Sequence, residues 1–319
     1  MKCATLWLKC SEYTRNPPSS EPEIPLSPYV KILRPHQWVK NLFLVAPLIF
    51  SKHLFDPQYF ITETLAFVGF CLISSAVYVL NDIADREADK VHPIKRERPI
   101  AAGKISVARA VGLDLILLAA GFMLARSLGP KYQLIAGLYF LFNVAYSFWL
   151  KKIILVDVFM IAAGFMLRVI AGAFAIDVQV SPWLILCTLF VSVFLAVSKR
   201  RGEILLNIDS DARPVLKEYD ISFIDQMMTV AASGMAISYA LYTVAERTVT
   251  IFGTENLIFT TVFVLFGIFR YLFLIKKHKA EDNPTYLLLT DAVMMLNVLA
   301  WFLSCVFIIY FNEIKSWLT

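Results

Sequence analysis

Asp82, Asp85 and Asp89 stand at i, i+3 and i+7 in the stretch Asn81-Asp82-Ile83-Ala84-Asp85-Arg86-Glu87-Ala88-Asp89. If the stretch is helical, that spacing projects all three carboxylates from one face. Carboxylates held close together repel unless a cation separates them, and a divalent metal is the usual solution. Mg²⁺ takes few protein carboxylates and fills its remaining positions with water and phosphate oxygens. Asn81 supplies a further oxygen donor. The plainer alternative is a solvated helix end in which Arg86 pairs with Asp82 one turn away. Context favours the metal: the acidic stretch closes a long apolar run and precedes a basic loop. That arrangement suits phosphate chemistry at a membrane surface.

The loop reads His92-Pro93-Ile94-Lys95-Arg96-Glu97-Arg98-Pro99-Ile100-Ala101-Ala102-Gly103. One reading is the positive charge that membrane proteins keep on their cytoplasmic side. The other is a phosphate clamp, because guanidinium offers paired donors and ammonium a compact charge. Further along, Lys199-Arg200-Arg201-Gly202-Glu203 opens a connection that also holds Asp209, Asp211, Asp220 and Asp225. A long charged loop among short ones often covers a site, but its aspartates are spaced too loosely to argue strongly for a second metal. Asp157 and Arg168 lie eleven residues apart inside an apolar run, close to three helical turns and so on one face. Ionisable groups at membrane depth face a cavity or a partner; these two either line a polar pocket, stabilising each other through water, or pin helices together. Tyr146 is a weaker pocket candidate. The segment Arg34-Pro35-His36-Gln37-Trp38-Val39-Lys40-Asn41 reads as structural on its own. Trp38 suits a membrane interface, and Lys40 could simply snorkel.

These groups must be positioned by membrane-spanning helices. The chain has 319 residues, 58% hydrophobic and 17% charged, whereas soluble domains are about half apolar and a quarter charged. Apolar blocks near the bilayer-crossing length of about 20 residues predict nine spans. They fall at 38–58, 64–80, 105–127, 132–149, 153–175, 181–198, 222–245, 255–276 and 288–311. Pro47, Lys52 and His53 interrupt the first. Lys and Arg concentrate in alternate connections: Lys31, Arg34 and Lys40; Lys90 to Lys104; Lys151–Lys152; Lys199 to Lys217; and Lys276 to Lys279. By the positive-inside rule these face the cytoplasm, with the N-terminus, and the C-terminus faces out. The formal charge of +5 expresses that bias and is no argument for nucleic acid. Residues 1–27 read as a flexible, proline-rich arm, leaving 28–319 as one transmembrane domain. Cys3, Cys10, Cys71, Cys187 and Cys305 lack metal-ligand spacing and read mainly as small apolar residues.

The pattern Asn-Asp-x-x-Asp-x-x-x-Asp at 81–89 on this frame resembles the UbiA superfamily of intramembrane prenyltransferases. Arg34-Pro35-x-Gln37-Trp38-x-Lys40-Asn41 and His92-Pro93-x-Lys95-Arg96-x-Arg98-Pro99-Ile100-Ala101-Ala102-Gly103 are similar to its decaprenyl-phosphate phosphoribosyltransferase branch. So are Lys199-Arg200 with Glu203, and Arg168 before Ala171-Gly172. The likeness runs from about residue 28 to the C-terminus. It implies an all-α, polytopic bundle of the UbiA kind with cytoplasmic acidic loops, in a bacterial inner membrane. It also implies transfer of 5-phosphoribosyl from 5-phosphoribosyl diphosphate to a polyprenyl phosphate, with Mg²⁺ as cofactor and pyrophosphate released. On that model Asn81, Asp82 and Asp85, with Asp89 directly or through water, hold the metal, and Asp82 and Asp85 are the catalytic pair. Lys95, Arg98, Lys199 and Arg200, with Lys40, neutralise phosphate oxygens, while Asp157 and Arg168 belong to the substrate pocket.

Aromatic prenyltransferases of the superfamily are the near alternative, attaching a polyprenyl chain to an acceptor such as 4-hydroxybenzoate. They carry a compact second aspartate motif, which Tyr219-Asp220 and Asp225 match only loosely. A cation-coupled transporter is the alternative from another class. It would place its carboxylates near mid-membrane in broken helices, whereas these stand at the end of a span.

Overall fold

The computed structural model describes residues 27–92, 95–205, 218–277 and 290–311, together with Glu313 and Lys315. The expected arm before Ser27, with Cys3 and Cys10, lies outside the described residues, as do Pro93, Asp209, Asp211, Lys217 and Lys279.

Among the described residues all regular structure is helical. A run of apolar side chains in lipid can satisfy its backbone groups only internally, so each such run coils. Polar residues at the ends decide where. Asp56 accepts from the Gln58 N–H and Pro57 opens the first long helix; Ser106, Asp220 and Asp291 cap others in the same manner.

The chain begins with the short helix α1 (Pro28–Leu33), a 3₁₀ segment (Pro35–Val45) and α2 (Ala46–Phe50). This corrects the first expected span: 38–58 is not one continuous α-helix. Pro47 removes a backbone donor, and Lys52 turns the chain with a left-handed φ of 67°. There follow α3 (Pro57–Ala84), the short α4 (Arg86–Val91), α5 (Val107–Ser127) and α6 (Pro130–Phe148). Next come α7 (Val156–Ala175), α8 (Pro182–Leu205), α9 (Ile221–Val244), the short α10 (Glu246–Phe252), α11 (Thr261–Lys277) and α12 (Ala292–Ile309). Among the described residues seven helices are long and apolar enough to cross a membrane: α3, α5, α7, α8, α9, α11 with the 3₁₀ turn before it, and α12. Helix α6, 19 residues long, packs between α7 and the α3–α5 pair.

The protein is a multi-pass membrane protein. Large apolar side chains such as Leu115, Ile116, Met123, Phe259 and Leu296 stand on its outer surface, where lipid rather than water is the compatible neighbour. Helix α3 lies at the centre of one half, packed on α5, α6, α7 and the 3₁₀ segment; α8 and α9 pair in the other half. Because successive long helices run in alternate directions, the ends of α3, α6 and α8 and the starts of α5, α7 and α9 gather at one end of the bundle. That end carries the charge.

Candidate active site at the charged end of the bundle

Helix α3 delivers Asn81 and Asp82 to this end and stops at Ala84. Asp85 breaks the helix with φ −90° and ψ 6°, and α4 carries on with Asp89 in its first turn. The three aspartates are therefore on two helices with a joint between them. Asp82 and Asp89 are buried; Asp85 is half-buried. Each has its own cation. Arg34, in a left-handed conformation at the end of α1, reaches Asp82 Oδ1 at 2.5 Å. Arg98 Nη1 lies 3.2 Å from Asp82 Oδ1 and donates to Asp89 Oδ2 at 2.7 Å, bridging the pair. Lys151, from the 3₁₀ turn between α6 and α7, donates to Asp85 Oδ1 at 3.1 Å. Arg86 does not pair with Asp82 as the solvated-end reading required; it lies 3.4 Å from Glu87.

Among the described residues no three acidic, histidine or cysteine side chains converge into a metal cage. One feature does suit a cation: Asp82 Oδ2 is buried and has no hydrogen-bond partner. A buried carboxylate oxygen left without a donor costs free energy unless a ligand completes it. Asp82 Oδ2, Asp85 and Asn81 are oxygen donors of the kind Mg²⁺ takes from a protein.

Lys40 and Asn41 enter from the 3₁₀ segment. Lys40 is half-buried and no carboxylate pairs with it among the described residues. Burial, then Arg168 and Arg34, lowers its pKa to about 8. Lys95 sits on the 3₁₀ turn Lys95–Glu97, packed on α4. Asn41 is held by three neighbours: its Nδ2 donates to Ser74 Oγ at 3.1 Å and to Cys71 Sγ at 3.2 Å, and its Oδ1 accepts from Arg168 Nε at 2.8 Å. Arg168 also donates to the Gly164 carbonyl (2.8 Å) and the Tyr139 hydroxyl (2.7 Å), and lies against the rings of Phe70, Tyr139 and Phe165.

A second ionic network joins α7 to α8. Asp157, in the first turn of α7, has Oδ2 2.7 Å from Arg200 Nε, an ionic contact without hydrogen-bond alignment. Arg200 also pairs with Glu203 and donates to the Tyr146 hydroxyl at 3.2 Å. Tyr219 donates to Asp157 Oδ1 at 2.9 Å and accepts from the Leu155 N–H at 2.8 Å. Leu155 itself has φ 65°. Lys199 is more exposed, 3.8 Å from Glu203.

The structure shows which partners these residues take. Asp157 and Arg168 share a helix face but not a network, since nearer partners on other helices take each. Arg168, expected in the substrate pocket, donates to Asn41, Gly164 and Tyr139, and Arg200, expected on phosphate, meets Asp157, Glu203 and Tyr146. The sequence reading also passed over Arg34 and Lys151 as site residues. In the sequence Arg34 belongs to a segment that reads as structural, Lys151 reads as topological charge, and no spacing links either to the aspartates. Asp225, expected on the loop, lies in α9 and accepts from Arg201 at 2.8 Å.

Two open pockets, about 520 and 240 Å³, lie at the opposite end of the bundle around Val178, Gln179 and Val180. Neither touches the aspartates. Size alone does not identify the site here; convergent titratable groups do.

The sequence matches the model of the UbiA prenyltransferase family over residues 42–290. The chain is 32% identical over 308 residues to a decaprenyl-phosphate phosphoribosyltransferase of Mycolicibacterium smegmatis, covering 93% of this chain and 96% of that protein. With the enzyme of the same name from Corynebacterium glutamicum it is 39% identical over 219 residues, spanning 67% of this chain and 66% of the relative. Its fold matches that of a UbiA homolog from Archaeoglobus fulgidus bound to GPP and Mg²⁺, with TM-score 0.66 and 18% identity, covering 88% and 99% of the two chains.

Proposed function

The chain belongs to the UbiA prenyltransferase family, and on that premise we propose that it transfers 5-phosphoribosyl from 5-phosphoribosyl diphosphate to a polyprenyl phosphate such as decaprenyl phosphate. The observation that carries the reading is the charged end of the bundle: Asp82 keeps one buried carboxylate oxygen free while Arg34 and Arg98 hold the other. Such a cluster accepts a metal-bound diphosphate by exchange of partners. The relatives named for this activity supply the choice of donor and acceptor.

Asn81, Asp82 and Asp85, with Asp89 at the edge, would hold Mg²⁺. When bound, the ion shields the charge that builds on the departing diphosphate. Arg34 and Arg98 turn from the aspartates toward phosphate oxygens, and Lys40 and Lys95 add charge from the two flanking segments. Once the diphosphate has bound, cations so turned stabilise the leaving group without reorganising further at the moment of reaction. The anomeric C–O bond breaks, the ribosyl carbon gains oxocarbenium character, and the lipid phosphate oxygen attacks from the other face. That nucleophile is already anionic, so no strong base is needed. Lys199, exposed beside Glu203, would meet the lipid phosphate. Arg168 and Arg200 act on substrate only through the residues they fix. The charged end faces the cytoplasm of a bacterial inner membrane, where water-soluble 5-phosphoribosyl diphosphate is available.

Membranes containing the protein are to be incubated with labelled 5-phosphoribosyl diphosphate and polyprenyl phosphate, with and without chelator. Label should enter the lipid fraction only when divalent metal is present. No transfer, together with prenylation of 4-hydroxybenzoate by polyprenyl diphosphate, would replace this reading with that of an aromatic prenyltransferase.

A further inference from the structure

Glu63 belongs to none of the networks above. It lies in the second turn of α3, it is 1% exposed, and neither carboxyl oxygen has a hydrogen-bond partner. Among the described residues it is the carboxyl group with both oxygens fully buried and unpartnered; Asp114 has one such oxygen. An ionised carboxylate so placed would lose its hydration with nothing to offset the loss. Within a membrane-spanning helix such a group marks a specific role.

The surroundings indicate which. A methyl group on Gly172 of α7 would lie 1.9 Å from the Leu44 carbonyl oxygen and 2.8 Å from Glu63 Oε1. Both oxygens therefore converge on the bare face of Gly172, which only glycine leaves open. Leu44 stands near the end of the 3₁₀ segment, where the i+3 donor to its carbonyl would be residue 47. That residue is Pro47, which has no N–H. Two acceptor oxygens brought together in a dry site repel unless a proton lies between them.

We propose that Glu63 is a positioning residue: its carboxyl group is held neutral and donates a hydrogen bond to the Leu44 carbonyl. The bond fixes the C-terminal end of the segment that carries Lys40 and Asn41. Trp38, donating to Ser75 Oγ at 3.0 Å, and Asn41, donating to Ser74, fix its other turns. All three contacts fall on α3, and Arg168 of α7 adds a fourth at Asn41, so the segment is clamped along its length. Its effect on turnover rests on the site assignment under Proposed function; the protonation does not.

The test compares the wild type with E63Q and E63A in lipid nanodiscs. Glutamine keeps a donor for Leu44 without an acidic proton; alanine has none. In the wild-type-minus-E63Q infrared spectrum at neutral pH, the band lost should be the carboxylic-acid C=O stretch, not carboxylate stretches. E63Q should keep near wild-type turnover. E63A should raise KM for 5-phosphoribosyl diphosphate about tenfold with a smaller change in kcat, the scale of one buried hydrogen bond. Loss of carboxylate bands instead, or an E63Q defect as large as that of E63A, would overturn the proposal. So would a sodium- or potassium-dependent turnover that E63Q abolishes, since that identifies a bound cation in place of the proton. If E63A does not fold, the E63Q spectrum and turnover still decide. If the wild type transfers no phosphoribosyl group at all, the functional reading fails while the infrared result stands.

Discussion

The aspartate rim and the Asp157–Arg200–Glu203 network sit at the same end of the bundle and are built from the same residue types, yet they differ in what they can give up. In the rim the cations are partly exposed: 20% for Arg34, 27% for Arg98 and 18% for Lys151. Asp82 holds one oxygen in reserve. In the second network Arg200, Asp157 and Glu203 are 2%, 1% and 4% exposed, with Tyr146 and Tyr219 completing the set. A cation at the water's edge can exchange a carboxylate for a phosphate at little cost. One sealed between helices cannot, because breaking the pair strands a buried charge. The rim is therefore fitted for ligand exchange and the sealed network for holding α7, α8 and the start of α9 together.

Four measurements would break or sharpen this contrast. The largest effect belongs to the sealed network: Arg200→Ala should cost about 3–5 kcal/mol of stability, read as a lowered Tm or loss of folded protein in detergent. A well-folded R200A whose only defect is in substrate binding would erase the distinction. Next, Asp82→Asn should lower kcat by about 10²–10³ while leaving Tm and membrane insertion close to wild type. Normal turnover in D82N would remove the metal assignment. Third, Arg34→Ala and Lys151→Ala, each removing one cation from the rim, should lower kcat/KM by roughly tenfold. Titration of turnover with MgCl₂ should show a changed metal requirement in both. The smallest effect is a pH dependence. With its pKa lowered to about 8, Lys40 is cationic below that value and neutral above it. KM for 5-phosphoribosyl diphosphate should thus rise as pH passes upward through about 8, and Lys40→Arg should flatten the rise, because guanidinium stays charged.

How the two regions could be told apart in advance depended on distance along the chain. Asn81, Asp82, Asp85 and Asp89 were legible as a unit because they are neighbours in one short segment, and the basic loop follows within a few residues. Their partners were not. Arg34 meets Asp82 across 48 positions and Lys151 meets Asp85 across 66; beside them, Arg168 meets Asn41 across 127. The 3₁₀ segment was hidden for another reason. Hydropathy records the apolar character of 38–58 but not how Pro47 and the turn at Lys52 divide its backbone.

Sequence by itself settled what each stretch must do with its own backbone and surroundings. Apolar runs must coil and enter lipid, since nothing else there satisfies their N–H and C=O groups, and the acidic and basic residues must end up where those runs stop. Tertiary structure alone decided which charge faces which. Pairing depends on helix crossings and rotations that bring distant turns within 3 Å, and an arginine bound for a buried glutamate is spelled the same as one left at the water's edge.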